Sequence, residues 1–98
     1  MKFRIIFLPQ TKNDRAEIKS FLSKFYKGTY KRFSILLKKK ISRLKIFPFS
    51  GPVYESNPRY RKLIVGDYLI FYKVYESIKI VEIHYIIHSS RDIASLLD

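Results

Sequence analysis

The chain has no cysteine, few acids and no long apolar run, and each shortage removes a class of explanation. Without cysteine, neither a disulfide framework nor a thiolate zinc site can form. The apolar run after Arg4, Ile5 to Leu8, is far too short for a signal-peptide core or a membrane span, so a soluble cytoplasmic protein without a membrane partner is expected. There is no Walker loop, dinucleotide fingerprint, HExxH helix or GxSxG elbow, and no cofactor is expected. No repeat or low-complexity tract divides the 98 residues, which read as a single domain over 1–98 with enough chain to bury a core unaided.

The scarcity of acids is uneven. Eight Asp and Glu face twenty Lys and Arg, for a net charge of +12. Residues 1–50 hold 14 of the basic residues and only Asp14 and Glu17 against them, whereas residues 51–98 hold six of each sign. Such a surface attracts phosphate backbones through counterion release, or an acidic protein segment through the same field, and charge alone does not choose between them.

What the chain has in quantity is β-type sequence. Arg59 to Ser90 contains three runs rich in Val, Ile, Tyr and Phe, joined by short turns at Gly66-Asp67 and Glu76-Ser77. Gly next to Asp suits a two-residue hairpin loop. Strands are expected at about Tyr60–Val65, Tyr68–Tyr75 and Ile78–Ile87, forming an antiparallel meander whose last strand is apolar on both faces.

Upstream, Lys2 to Leu8 reads as a strand with Phe3, Ile5 and Phe7 on one face, ended by Pro9. Asn13 or Asp14 is a candidate helix cap, and Asp14 with Glu17 has capping-box spacing. Ile18, Phe21, Leu22, Phe25 and Tyr26 then form one apolar helix face, stopped at Gly28. A second helix is expected over Tyr30–Phe47, with Phe33, Leu36, Leu37, Ile41 and Leu44 as its buried stripe, closed by Pro48. Lys38, Lys39, Lys40, Arg43 and Lys45 form a basic ridge away from that stripe. The segment 48–58, with three of the four prolines, is the longest loop. The tail after Ser89 can form a short helix with Ile93, Leu96 and Leu97 as its apolar edge.

The expected class is α+β in the order βααβββ(α): a twisted antiparallel sheet of about four strands, with a two-helix hairpin packed on one face. The opposite face, concave by twist and partly open, is the candidate site. His84 and His88, four apart on an extended segment, are expected on the same face roughly 13 Å apart, too far to share a metal. Metal-independent RNA cleavage is chemically available: His84 or His88 to move protons, Glu82 beside His84, and Arg59, Arg61, Lys62, Lys73 and Arg91 to hold phosphate oxygens. Tyr60, Tyr68, Tyr72 and Tyr85 are candidates for base stacking. Each has a duller reading, since histidines and tyrosines in strands commonly pack in the sheet. Arg91 has a structural reading beside Asp92 and a functional one as an anion contact, whereas Asp92 suits the first turn of the terminal helix.

The segments RLKIFPFSG (Arg43 to Gly51), YRKLIVGDYLIFYKV (Tyr60 to Val74) and IVEIHYIIHSSRDIASLL (Ile80 to Leu97), in this order and at this length, resemble the RelE/ParE superfamily of bacterial type II toxin-antitoxin toxins. The resemblance implies a small basic growth inhibitor, associated with plasmid stabilisation and neutralised by a cognate antitoxin. The resemblance further implies one of two activities, that of a ribosome-dependent mRNA endonuclease (mRNA interferase) or that of a non-catalytic inhibitor of DNA gyrase. For the ribonuclease branch it implies Lys62, His84, His88 and Arg91 as catalytic residues. Lys38, Lys39, Arg43, Arg59, Arg61 and Lys73 remain the candidates for partner or nucleic-acid binding. Leu69 stands where ribonuclease members commonly carry arginine, and the usual aromatic near the C-terminus is missing. His88-x-x-Arg91-Asp92-Ile93 resembles the closing motif of ParE-like members, which favours the gyrase-directed branch. A degenerate toxin or a nucleic-acid-binding module keeping the fold is the third reading.

Overall fold

A computed structural model describes residues 2–25 and 27–97. The chain forms β1 (Arg4–Phe7), α1 (Gln10–Leu22), α2 (Thr29–Ser42), a 3-10 turn (Arg43–Lys45), β2 (Arg61–Val65), β3 (Tyr68–Tyr75), a second 3-10 turn (Glu76–Ile78), β4 (Ile80–His88) and α3 (Ile93–Leu96). The four strands lie in the order β1-β4-β3-β2. The meander β2-β3-β4 is antiparallel as expected, but β1 joins β4 in parallel, making the sheet mixed. Two helices and the β2-β3 hairpin intervene between β1 and β4, enough chain to bring β4 back in the direction of β1, which permits the parallel pairing. No helix among the described residues is long and apolar enough to cross a membrane.

Helix α1 begins earlier than Asn13 or Asp14. Pro9, with φ −54°, ends β1 and opens the helix together, since a missing N–H costs nothing in a first turn. Thr11, fully buried, donates its hydroxyl to the Leu8 carbonyl at 2.8 Å and fixes the corner. Asp14 and Glu17 therefore lie inside the helix rather than at its cap. Helix α1 also stops before Gly28, which with φ +87° instead precedes α2. Tyr26, expected on the apolar face, falls outside the described residues. Helix α2 ends at Ser42, and Leu44 of the expected stripe is buried from the 3-10 turn, while Leu36 is exposed.

One core lies between the helices and the sheet. Ile18, Leu37, Ile41 and Leu44 pack on Tyr68, Ile70, Tyr72, Val81, Ile83 and Ile86. Strand alternation sends Leu69, Phe71, Tyr85 and Ile87 to the other face, too apolar a set to remain in water. That face, expected to be partly open, is instead covered by the chain's own segments: Tyr54 and Tyr60 from the long loop, and Ile93, Leu96 and Leu97 from the tail.

Two features close the sheet's margins. Tyr72, fully buried, donates its hydroxyl to the Pro48 carbonyl and accepts the Gly51 N–H, each at 2.9 Å, tying the loop to the sheet. A Cβ on Gly51 would sit 2.5 Å from the Lys62 carbonyl oxygen and 2.6 Å from the Tyr72 hydroxyl, so only glycine fits there. On the other side, β1 matches only the first half of β4. Beyond it, the Asp14 carboxylate accepts the Ile86 N–H at 3.0 Å. Burial holds the Asp14 pKa above its ordinary value; the Ile86 N–H and Arg91 oppose that rise and Glu17 adds to it.

Tyr72→Phe, which leaves the buried Gly51 N–H without its acceptor, is expected to cost about 1–3 kcal/mol in urea unfolding with an unchanged slope. Asp14→Ala orphans the Ile86 N–H and is expected to cost about the same. Asp14→Asn keeps an acceptor and removes the charge. Because the carboxyl's folded pKa is raised, the folded protein retains a proton that the unfolded chain has released. The wild type should therefore lose stability relative to Asp14→Asn as pH rises from below 3.8 through the raised value, with the difference level above it.

Candidate functional site

The two histidines are placed by one irregularity. The β3–β4 register runs Phe71 opposite Tyr85 but Tyr72 opposite Ile83, so His84 is an extra residue, a β-bulge that reverses the alternation of β4. His84 and His88 consequently lie on opposite faces, not the shared face their spacing predicts. His84 is buried beside Tyr60, ring centroids 5.3 Å apart, and its Nε2 meets the Glu82 carboxylate at 3.1 Å. Glu82 also receives the Tyr75 hydroxyl and lies opposite Lys73 across the strands. Burial first, and Glu82 second, raise the Tyr75 pKa.

His88 packs against Tyr68 on the helix side, 5.1 Å between ring centroids. Its Nδ1 accepts the Ser90 backbone N–H at 3.1 Å and lies 2.8 Å from the Ser90 hydroxyl. An Nδ1 that accepts a backbone N–H carries no proton, so a neutral His88 bears its hydrogen on Nε2. In this geometry the ring ties the turn after β4 and has only a donor left to offer. His88 and the exposed Arg91 share a cleft of about 470 Å³ with Asp14, Glu17, Phe21 and Tyr68.

The cations expected to hold phosphate are largely occupied by the chain itself. Arg61 donates to the Gly51 carbonyl at 2.9 Å and stacks 4.9 Å from the Phe49 ring centroid. Lys62 sits 5.4 Å from the Tyr54 ring and Lys73 4.7 Å from the Tyr60 ring. Arg59 donates to Asn57 at 3.4 Å. A charged hydrogen bond such as that of Arg61 is worth roughly 1.5–3 kcal/mol, and each cation–π contact about 0.5–1 kcal/mol. Arg61 is thus the most firmly held of the four. Lys38, Lys39 and Arg43 are exposed on α2 and the turn that follows.

The structure brings Arg43 and Lys62 together, with Lys40, around a groove of about 400 Å³ beside Gly51 and Ile64. Lys38 lines a separate trough of about 610 Å³ with Arg15 and Lys45. It does not bring Lys62, His84, His88 and Arg91 into one constellation: Lys62 lies by the loop, His84 under Tyr60, and His88 with Arg91 across the sheet. Among the described residues no three His, Asp or Glu side chains gather as a metal site. Two contacts at the margins of the site were absent from the sequence reading. Asp14 acts on a strand 72 residues away, a separation no local pattern encodes, and Lys40 donates to the Ile64 carbonyl at 2.8 Å, hidden within a run of three lysines.

The toxin–antitoxin complex RelBE2 of Mycobacterium tuberculosis contains a chain that superposes with a TM-score of 0.61 at 14% identity, covering 90% of this chain and 99% of that one. The archaeal RelE–RelB complex of Pyrococcus horikoshii OT3 gives 0.54 at 20% identity, covering 93% and 99%. These likenesses are of fold. No curated protein matches the sequence. The family described as the ParE toxin of the type II toxin-antitoxin system, parDE, matches residues 5–93. The chain therefore belongs to the ParE toxin family, within the RelE/ParE superfamily of type II toxins.

Proposed function

We propose that this toxin acts by binding, with DNA gyrase as its target and a cognate antitoxin as its neutralising partner. The observation that carries the reading is the closed far face of the sheet. Tyr54, Tyr60, Phe71, Ile87 and Leu97 fill the surface on which an RNA strand would lie. An acid–base pair for 2′-hydroxyl attack needs both groups within hydrogen-bond reach of one phosphate, and the histidines are on opposite faces. The antitoxin is supported by the family and by structural relatives solved as complexes with RelB. The uncompensated charge of +12 supplies the attraction for an acidic partner.

A second reading, a ribosome-dependent endoribonuclease, is favoured by one observation: Lys40, Arg43 and Lys62 line a single groove with no acid among its walls, which suits a phosphate backbone. In that reading Lys62, His84, His88 and Arg91 keep the catalytic roles proposed for them.

His88→Asn separates the two, because the amide oxygen can still accept the Ser90 N–H while proton transfer is lost. Binding to gyrase predicts growth inhibition within about threefold of wild type, whereas acid–base catalysis by His88 predicts a loss of about 10²–10⁴. With purified toxin, supercoiling should stop at near-stoichiometric ratios. Supercoiling untouched at excess, together with codon-specific cuts in translating mRNA, would overturn the reading.

A further inference from the structure

Two phenylalanines stand in water on a segment that is otherwise tightly fastened. Phe47 and Phe49, at the start of the long loop, are 57% and 46% exposed, and Ile46 beside them is 59% exposed. Pro48 between the two rings is buried, so the chain turns its proline inward and leaves the aromatic on either side outside. Farther along the same loop the opposite happens, since Tyr54 and Tyr60 are drawn onto the far face of the sheet. Apolar residues exposed singly need no explanation, but three within four positions form a patch.

The exposure is not that of a loose loop. Every residue from Lys45 to Gly51 has a backbone group engaged. The Lys45 carbonyl accepts the Phe3 N–H, the Arg43 carbonyl accepts the Ile46 and Phe47 N–H groups, and the Phe47 carbonyl accepts the Ser50 N–H. The buried Tyr72 hydroxyl holds the Pro48 carbonyl and the Gly51 N–H, and Arg61 reaches the Phe49 and Gly51 carbonyls. Gly51, with no room for a Cβ, completes the anchor. A backbone held in this way has little entropy left to lose when the two rings meet a partner.

The surroundings set the chemistry of that partner. Arg43 and Lys45 are exposed beside the patch, and no acid stands in the sequence between Glu17 and Glu55. The Arg61 guanidinium, 4.9 Å from the Phe49 ring centroid, takes one face of that ring, and Ile46 has no ring to offer. Stacked bases need free aromatic faces, whereas an apolar pocket takes ring edges and aliphatic groups alike.

We infer that segment 45–51 is the surface by which this toxin grips its protein target, with Ile46, Phe47 and Phe49 entering an apolar pocket whose rim sets carboxylates against Arg43 and Lys45. Clustered aromatic anchors commonly carry most of an interface's affinity, and the charges at the rim set the rate and register of encounter. That the occupant is gyrase rests on the function proposed above; its apolar, acid-rimmed character is set by the loop.

The test titrates the full chain, labelled at its amino terminus, with purified gyrase by fluorescence anisotropy, and follows growth on expression of each variant. Phe47→Ala and Phe49→Ala should each weaken binding at least about fivefold, and the double variant at least about 30-fold, with growth inhibition lost and the urea midpoint unchanged. Phe47→Leu, which keeps an apolar group there, should stay within about threefold of wild type. Arg43→Glu with Lys45→Glu should slow association and flatten its salt dependence. A double phenylalanine variant that still arrests growth, or that binds gyrase as tightly as wild type, would overturn the inference, as would a single-stranded RNA oligomer that binds wild type and loses its affinity with the two rings. Wild type that does not bind gyrase, alongside a folded double variant that no longer arrests growth, would instead overturn the choice of gyrase and leave the loop as the contact with another target.

Discussion

A sheet that is apolar on both faces has to be covered twice. Ile70, Phe71 and Tyr72 are consecutive, point alternately to the two sides, and are all fully buried. Ile86 and Ile87 repeat the pattern on the neighbouring strand. The helices shield one side only, and burying a side chain of this size is worth roughly 1.5–3 kcal/mol over leaving it wet. The long loop and the C-terminal tail are therefore drawn onto the other side, where aromatic rings from the loop meet Phe71 nearly edge-on.

That second covering decides where function can reside. Lys62 and Lys73, which alternation directs to the same face as Phe71, end over the Tyr54 and Tyr60 rings of the covering loop. Arg61 is drawn into the loop's carbonyls, beside the Tyr72 hydroxyl that anchors Gly51. What remains available lies at the margins: the groove near Lys40 and Arg43, the cleft by His88, and the trough beneath β1. A protein arranged in this way offers charged and apolar edges to other macromolecules rather than an enclosed reaction chamber. The proposed action by binding draws on these edges.

The strand and helix order, the Gly66 hairpin and the antiparallel meander were legible because each rests on local signals: period, turn chemistry and proline. Tertiary facts were not. The bulge at His84 leaves no mark in composition, yet it moves His88 to the opposite face and dissolves the expected histidine pair. The turn after β3 runs on to Lys79, whose φ of +55° is a conformation a lysine rarely adopts and sequence alone does not announce. The role of Asp14 was misread because capping-box spacing is satisfied by chance where Pro9 already starts the helix. The basic ridge was read correctly as exposed, but its division between a groove at one side and a trough at the other depends on how α2 crosses the sheet.

The account turns on the far face being closed in the free protein. Proton–proton Overhauser contacts measured on the isolated toxin test this directly. The account predicts strong contacts from the Leu97 methyls to the Tyr60 and Phe71 rings, and from the Tyr54 ring to Phe71. A tail free of such contacts, with Phe71 exposed to solvent, would contradict it and return the sheet face to use as a nucleic-acid platform.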